Sequence, residues 1–307
     1  MHIPDGFLSP PVWATLDVLS VPAAAWIAHR AQRGAEDRKI PLMGVMGAFV
    51  FAAQMINFPI PLGTSGHLVG GALLTIVLGP AAASVAMMAI LAIQALVFQD
   101  GGIMALGANV TNMALAGVLA AYIPYWAWGA RWRSAAIFTS GFLSVLVSAC
   151  LALSELSISG VPMPKRLLLL SFGLFLISGI LEGAITLAAV RAIERLNPRW
   201  VSTPFQSGSR MIGAVGTAAV ILATVGILIG SAAPEVIEHL AASFGIAAHA
   251  PAWMHAPLAD YEWKGIESGW LRRASAALTG LALIYGACVI MGRFLARRRF
   301  LMRQGSA

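Results

Sequence analysis

The sequence predicts an all-α integral membrane protein. Three observations lead there. Of 307 residues, 59% are hydrophobic and 11% charged, against about 25% charged in soluble domains. The mean hydropathy is +0.81, so the chain lacks the polar surface to cover itself in water. Its apolar runs are long and continuous rather than alternating in short pieces, which selects helices over a barrel.

Nine apolar segments follow one another, at 10–29, 40–58, 67–79, 81–98, 103–123, 134–154, 168–190, 211–230 and 274–294. Nothing before the first resembles a secretory signal: no basic run precedes it, and Pro4, Pro10 and Pro11 crowd it. The third is short for an upright crossing of about 20 residues. It ends at Gly79-Pro80, where proline forces a reversal. Joining the third and fourth into one helix over 67–98 makes a span too long for one crossing. Charge separates the two options. With nine spans and the N-terminus outside, 15 of the 20 Lys and Arg residues fall on one side. The positive-inside rule then places the C-terminus in the cytoplasm. That topology also accounts for the net charge of +7 without nucleic acid as a partner.

After the seventh segment comes RAIERLNPRWVSTPFQSGSR (191–210), a polar connector with two prolines. Two domains are expected, at 1–200 and 201–307. The second is a two-span hairpin around an outer loop over 231–273. Cys150 and Cys288 lie in apolar runs without ligand spacing and read as buried small hydrophobes.

The sequence holds no GxxxxGK[ST] phosphate loop, no HExxH and no GxSxG. ATP hydrolysis by the phosphate-loop route is therefore excluded, and protease and hydrolase readings are weakened. Two acids sit inside spans, Asp17 and Glu182. An intramembrane carboxylate is a functional candidate by default; the alternative is a helix–helix hydrogen bond.

The outer loops FPIPLGTSGH (58–67), QDGG (99–102) and GANVTN (107–112) are rich in Gly and small polar residues, which permits close backbone approach. In this topology His2 and His67 share one side of the membrane. The large side chain of His2 should also block removal of Met1. A free amine, the residue-two amide nitrogen and Nδ1 of His2 then close adjacent five- and six-membered chelate rings around one ion. A deprotonated amide suits Ni²⁺ or Cu²⁺, with Co²⁺ also possible. His67 would complete four nitrogens. On donor counting alone, His2 as an incidental second residue and His67 as a polar helix start stay open.

The stretches MHIPDGFLSP, FPIPLGTSGHLVGGALLTIVLGP, QALVFQDGGIMALGANVTNMALAG and GILEGAIT resemble the CbiM/NikM family. Its members are substrate-binding (S) components of energy-coupling factor (ECF) transporters for cobalt and nickel. The likeness runs in order over about residues 1–200. It implies a seven-helix S-component bundle with the N-terminus outside and metal ligands at Met1, His2 and His67. The tail, with ADYEWKGIES (259–268) as its distinctive stretch, resembles the two-span CbiN/NikN-type accessory component, whose outer loop aids metal uptake. His239, His249 and His255 lie in that loop, either passing metal inward or as plain surface residues. The resemblance further implies a membrane T component and cytoplasmic ABC-type ATPase subunits as partners. Ala24 and Ala28, an AxxxA pair on the first span, would pack against the T component or within their own bundle.

The expected function is thus the metal-binding component of an ATP-driven nickel or cobalt importer in the inner membrane of a prokaryote. Loops 58–66 and 99–109 would form a lid, and Asp5, Thr64, Ser65, Asp100 and Asn109 are candidates to orient the ligands. The rival is an ion-coupled divalent-metal carrier or channel working through Asp17 and Glu182.

Overall fold

A computed structural model describes residues 1–34, 37–197, 209–231, 233–243 and 256–304. Most of the connector, along with His249 and His255, lies outside them. The described chain is helical: α1 (Pro10–Gly34), α2 (Ile40–Gln54), α3 (Gly71–Leu78), α4 (Pro80–Phe98), α5 (Leu106–Trp128), α6 (Arg133–Ile158), α7 (Lys165–Leu196), α8 (Ser209–Thr224), α9 (Val236–Ser243) and α10 (Gly269–Gln304). A two-stranded hairpin, β1 (Phe58–Ile60) and β2 (Thr64–Gly66), pairs Phe58 with Gly66.

Seven of these helices are long and apolar enough to cross a membrane, and the chain is a multi-pass membrane protein. The expected segments at 40–58 and 67–79 form the shorter helices α2 and α3. Gly79, at φ +82°, breaks the chain between α3 and α4, and Pro80 begins the next helix where its missing N–H has no partner to lose. That reversal borders an apolar cavity of about 230 Å³ with Arg30, Gly34, Lys39 and Gly292. It therefore lies at the end of the bundle where α1 finishes and α2 begins, as nine alternating segments require. All eight residues of α3 are buried. Between β2 and α3, residues 67–70 are irregular chain, with Gly70 left-handed, tolerated because protein surrounds it.

Small residues set the close helix contacts, as lipid offers no hydrophobic drive between helices. A Cβ on Gly141 of α6 would meet Gly183 Cα on α7 at 2.8 Å. One on Gly107 would meet the Asp17 backbone of α1 at 2.4 Å, and the Asp17 carboxylate accepts the Gly107 N–H at 2.6 Å. Asp17 is therefore a helix–helix tie. Apart from this seam α1 is largely exposed, with Val18, Val21 and Trp26 turned outward. Ala24 is half-buried, and Ala28 packs partly against the core.

The C-terminal hairpin packs on α2. A Cβ on Gly47 would meet Cys288 Sγ of α10 at 2.7 Å, and one on Gly44 would meet Val289 and Tyr285. Cys288 is buried as expected. Cys150 instead is exposed on α6: an apolar run predicts burial in the membrane, not which face meets protein. Gly47→Val should push α10 off α2 and destabilise the protein by about 1–3 kcal/mol. A lowered melting temperature in detergent checks this, and unchanged melting would refute the seam.

Candidate metal centre

The N-terminal segment is not a loose tail. Ile3 is fully buried. Asn109 on α5 clasps its backbone, accepting the Ile3 N–H at 2.8 Å and donating to the Ile3 carbonyl at 3.1 Å. Gly102 N–H donates to that same carbonyl at 2.9 Å. Asp5 reaches the other way and accepts the amides of Ile103 and Met104 at 3.1 and 2.8 Å. A Cβ on Gly102 would strike the Asp5 backbone nitrogen at 2.6 Å, so glycine is what lets the 99–105 loop lie against residues 3–5. Two widened, π-type helix segments flank this loop, Gln94–Phe98 and Val110–Gly117, a distortion that recurs at functional sites.

This clasp places Met1 and His2 against His67. The Met1 amine lies 2.9 Å from His67 Nε2. The imidazoles of His2 and His67 are nearly parallel, with ring centres 5.3 Å apart and 5° between planes. Both are about 5% exposed. His67 Nδ1 contacts the Leu68 carbonyl at 2.8 Å, which leaves Nε2 pointing at the amine. A cavity of about 10 Å³ opens among Met1, His67 and Glu235, room for a guest of about one water. Nε2 of His2 is buried without a hydrogen bond, which is uncommon for a buried polar atom and here falls on a proposed ligand, while Nδ1 faces the Asp100 carboxylate.

The remaining candidates divide. Thr64 Oγ1 bonds the Pro61 carbonyl in its own turn and stays out of the centre. Ser65 faces the C-terminal half: its N–H donates to the Pro234 carbonyl at 2.9 Å and its hydroxyl to the Ala233 carbonyl at 2.6 Å. Asp100 Oδ1 lies 3.1 Å from His2 Nδ1. Glu182 on α7 accepts the amides of Val69 and Gly70 at 2.7 and 2.9 Å, fixing the chain just beyond His67.

Two residues at the centre escape the sequence reading. Glu235, from the segment after α8, ion-pairs with the Met1 amine and lies 3.2 Å from His67 Nε2. Tyr261 donates to Asp100, accepts from Gln94 at 3.3 Å and stacks on Phe98. Only the distinctiveness of ADYEWKGIES pointed toward Tyr261; nothing local marked Glu235. Burial alone would raise the Glu235 carboxyl, but the facing His67 imidazole and N-terminal charge hold it well below the usual range. Burial likewise opposes ionisation of Asp100, and the neighbouring His2 brings it down. His239 sits half-buried one turn beyond Glu235.

The family described as "Cobalt uptake substrate-specific transmembrane region", CbiM, matches residues 2–200. The chain belongs to the CbiM family. It is 38% identical over 252 residues to a protein of Archaeoglobus fulgidus provisionally named fused nickel transport protein NikMN; the match covers 80% of this chain and 83% of that one. It is 31% identical to the probable fused nickel transport protein LarMN of Lactiplantibacillus plantarum, across 93% of this chain and 97% of that one. Among solved structures, a truncated transition metal transporter superposes with TM-score 0.57 at 31% identity, covering 64% of this chain and 99% of its own. This CbiM-family chain is thus a membrane protein of nickel or cobalt uptake.

Proposed function

We propose that the chain is the substrate-binding component of an ATP-driven ECF-type importer of nickel or cobalt, with the ion held on the extracytoplasmic side. One observation carries the reading: the Met1 amine, His2 and His67, separated by 65 residues of chain and a hairpin, converge in one buried pocket. The amine, the residue-two amide and two imidazole nitrogens make four nitrogen donors, a set that suits a square-planar Ni²⁺. Co²⁺ is the alternative cargo. A membrane T component and separate ATPases would supply the energy and tilt the bundle, with Ala24 and Ala28 of the exposed α1 as a packing surface.

The carrier rival asks Asp17 and Glu182 to handle the ion or a coupled proton. Each is instead committed to backbone amides, at Gly107 and at Val69 and Gly70, and no observation favours that reading.

Calorimetry with Ni²⁺ and Co²⁺ on detergent-purified protein with its native N-terminus tests the site. His67→Ala should abolish binding, and binding at wild-type strength would sink the reading. Affinity should fall as pH falls, because the donors must shed protons to bind. Where two protons leave, linkage gives about a hundredfold per pH unit. Uptake in cells should require co-expressed T component and ATPases; uptake without them would favour the carrier.

A further inference from the structure

We propose that Glu235 completes the ion site as its charge-balancing acid, so that the C-terminal module is part of the binding centre rather than an attachment beside it. The inference rests on the reading that Met1, His2 and His67 hold a divalent cation.

Geometry carries it first. One ligand atom each from His2, His67 and Glu235 lie within 4.8 Å of one another. The two Glu235 oxygens divide between the Met1 amine and His67 Nε2, two of the four atoms the ion would use. A carboxylate there faces the metal position itself.

The placement is also built. Residue 235 continues a backbone pairing with β2 at Ser65, fixed by the two bonds from Ser65 to Ala233 and Pro234. Ser231 N–H donates to the Asn57 carbonyl at 2.7 Å. Val236 and Ile237 are buried in the cluster that holds Ile60, Leu174 and Phe175. Glu238, one turn on, accepts the Glu235 N–H at 3.1 Å. The side chain thus reaches the centre from backbone anchored on both sides.

Charge explains why an acid belongs there. Before an ion binds, the donor set carries one positive charge, on the ammonium. With a divalent ion bound, one amide has lost its proton and three nitrogens are neutral, so the set again carries one positive charge. Glu235 meets that charge at the amine in both states, and Asp100 brings a second carboxylate to His2. A buried charge without a partner is expensive, so removing Glu235 should weaken the loaded state and leave the nitrogen ligands in place.

The test is calorimetric titration of the full chain, untagged at its N-terminus, with NiCl₂ at fixed pH. Glu235→Gln should raise Kd at least tenfold, whereas Glu267→Gln, at an exposed acid of the same outer loop, should stay within twofold of wild type. Glu235→Asp keeps the charge and should bind within fivefold of wild type. Melting without nickel checks that each variant folds, and the Asp variant carries the test if the Gln variant does not. Wild-type or tighter binding by Glu235→Gln overturns the inference, as does a well-folded Asp variant weakened tenfold or more. If His67→Ala also abolishes binding, the three-residue site survives that failure; if His67→Ala binds normally, it is the site itself that fails.

Discussion

A chain lengthened by five residues at its N-terminus is expected to lose nickel binding, by at least a thousandfold in Kd. The same five residues added at the C-terminus should leave Kd within twofold. The extension replaces the amine by a peptide nitrogen and removes the chelate rings that begin at residue one. It also has nowhere to go. The Met1 side chain is 7% exposed, and its nitrogen is enclosed by His67 and Glu235. Five more residues need up to roughly 17 Å of extended chain, so they must displace Glu235 or draw His2 out of the pocket. Either change dismantles the donor set, and a thousandfold corresponds to about 4 kcal/mol. Titration with NiCl₂ reads the result directly. Undiminished binding would exclude the amine as a ligand. The extension must be longer than one residue, because a histidine at residue three gains a second amide nitrogen and binds nickel by itself.

Much of this centre is legible in the sequence because its determinants are local. Residue-two chemistry depends on two adjacent positions. Membrane topology depends on the hydropathy of segments and the side of each Arg and Lys, and it brings His67 to the same end as His2 without knowledge of the fold. Asp5, Asp100 and Asn109 are suggested by their loops, and the structure gives each a distinct task. Asn109 clasps Ile3, Asp5 ties residues 103 and 104, and Asp100 joins His2 to Tyr261. Glu235 is different. It meets the amine across 234 residues of chain, and its local setting, SAAPEVIEHL, is that of an ordinary helix start with an acid in the first turn. No period or spacing distinguishes an acid that caps a solvated helix from one aimed into a pocket. The same gap explains Cys150: hydropathy assigns a segment to the membrane, but the face it turns to protein is set by partners elsewhere in the chain.

Glu182 carries the other large expected effect. Its carboxylate, 1% exposed, is the acceptor for two buried amides where β2 gives way to α3. That chain cannot easily find another path. Gly70 holds φ at +76°, and a Cβ there would strike Val50 Cγ1 at 2.4 Å, so at Gly70 the chain passes a gap that fits bare backbone. Glu182→Ala leaves both N–H groups of Val69 and Gly70 buried and unpaired, at about 1–3 kcal/mol each. Glu182→Gln keeps one acceptor oxygen but turns an amide donor toward the other N–H, so it should fall between the alanine variant and the wild type. Both changes should lower the melting temperature in that order, and both should weaken nickel binding, because His67 lies two residues before the first freed amide. If Glu182 instead worked as an ion or proton carrier, Gln would stop transport while leaving melting and nickel affinity at wild-type values. The ordering of melting temperatures, read beside Kd, therefore separates an acid that positions His67 from one that moves charge across the membrane.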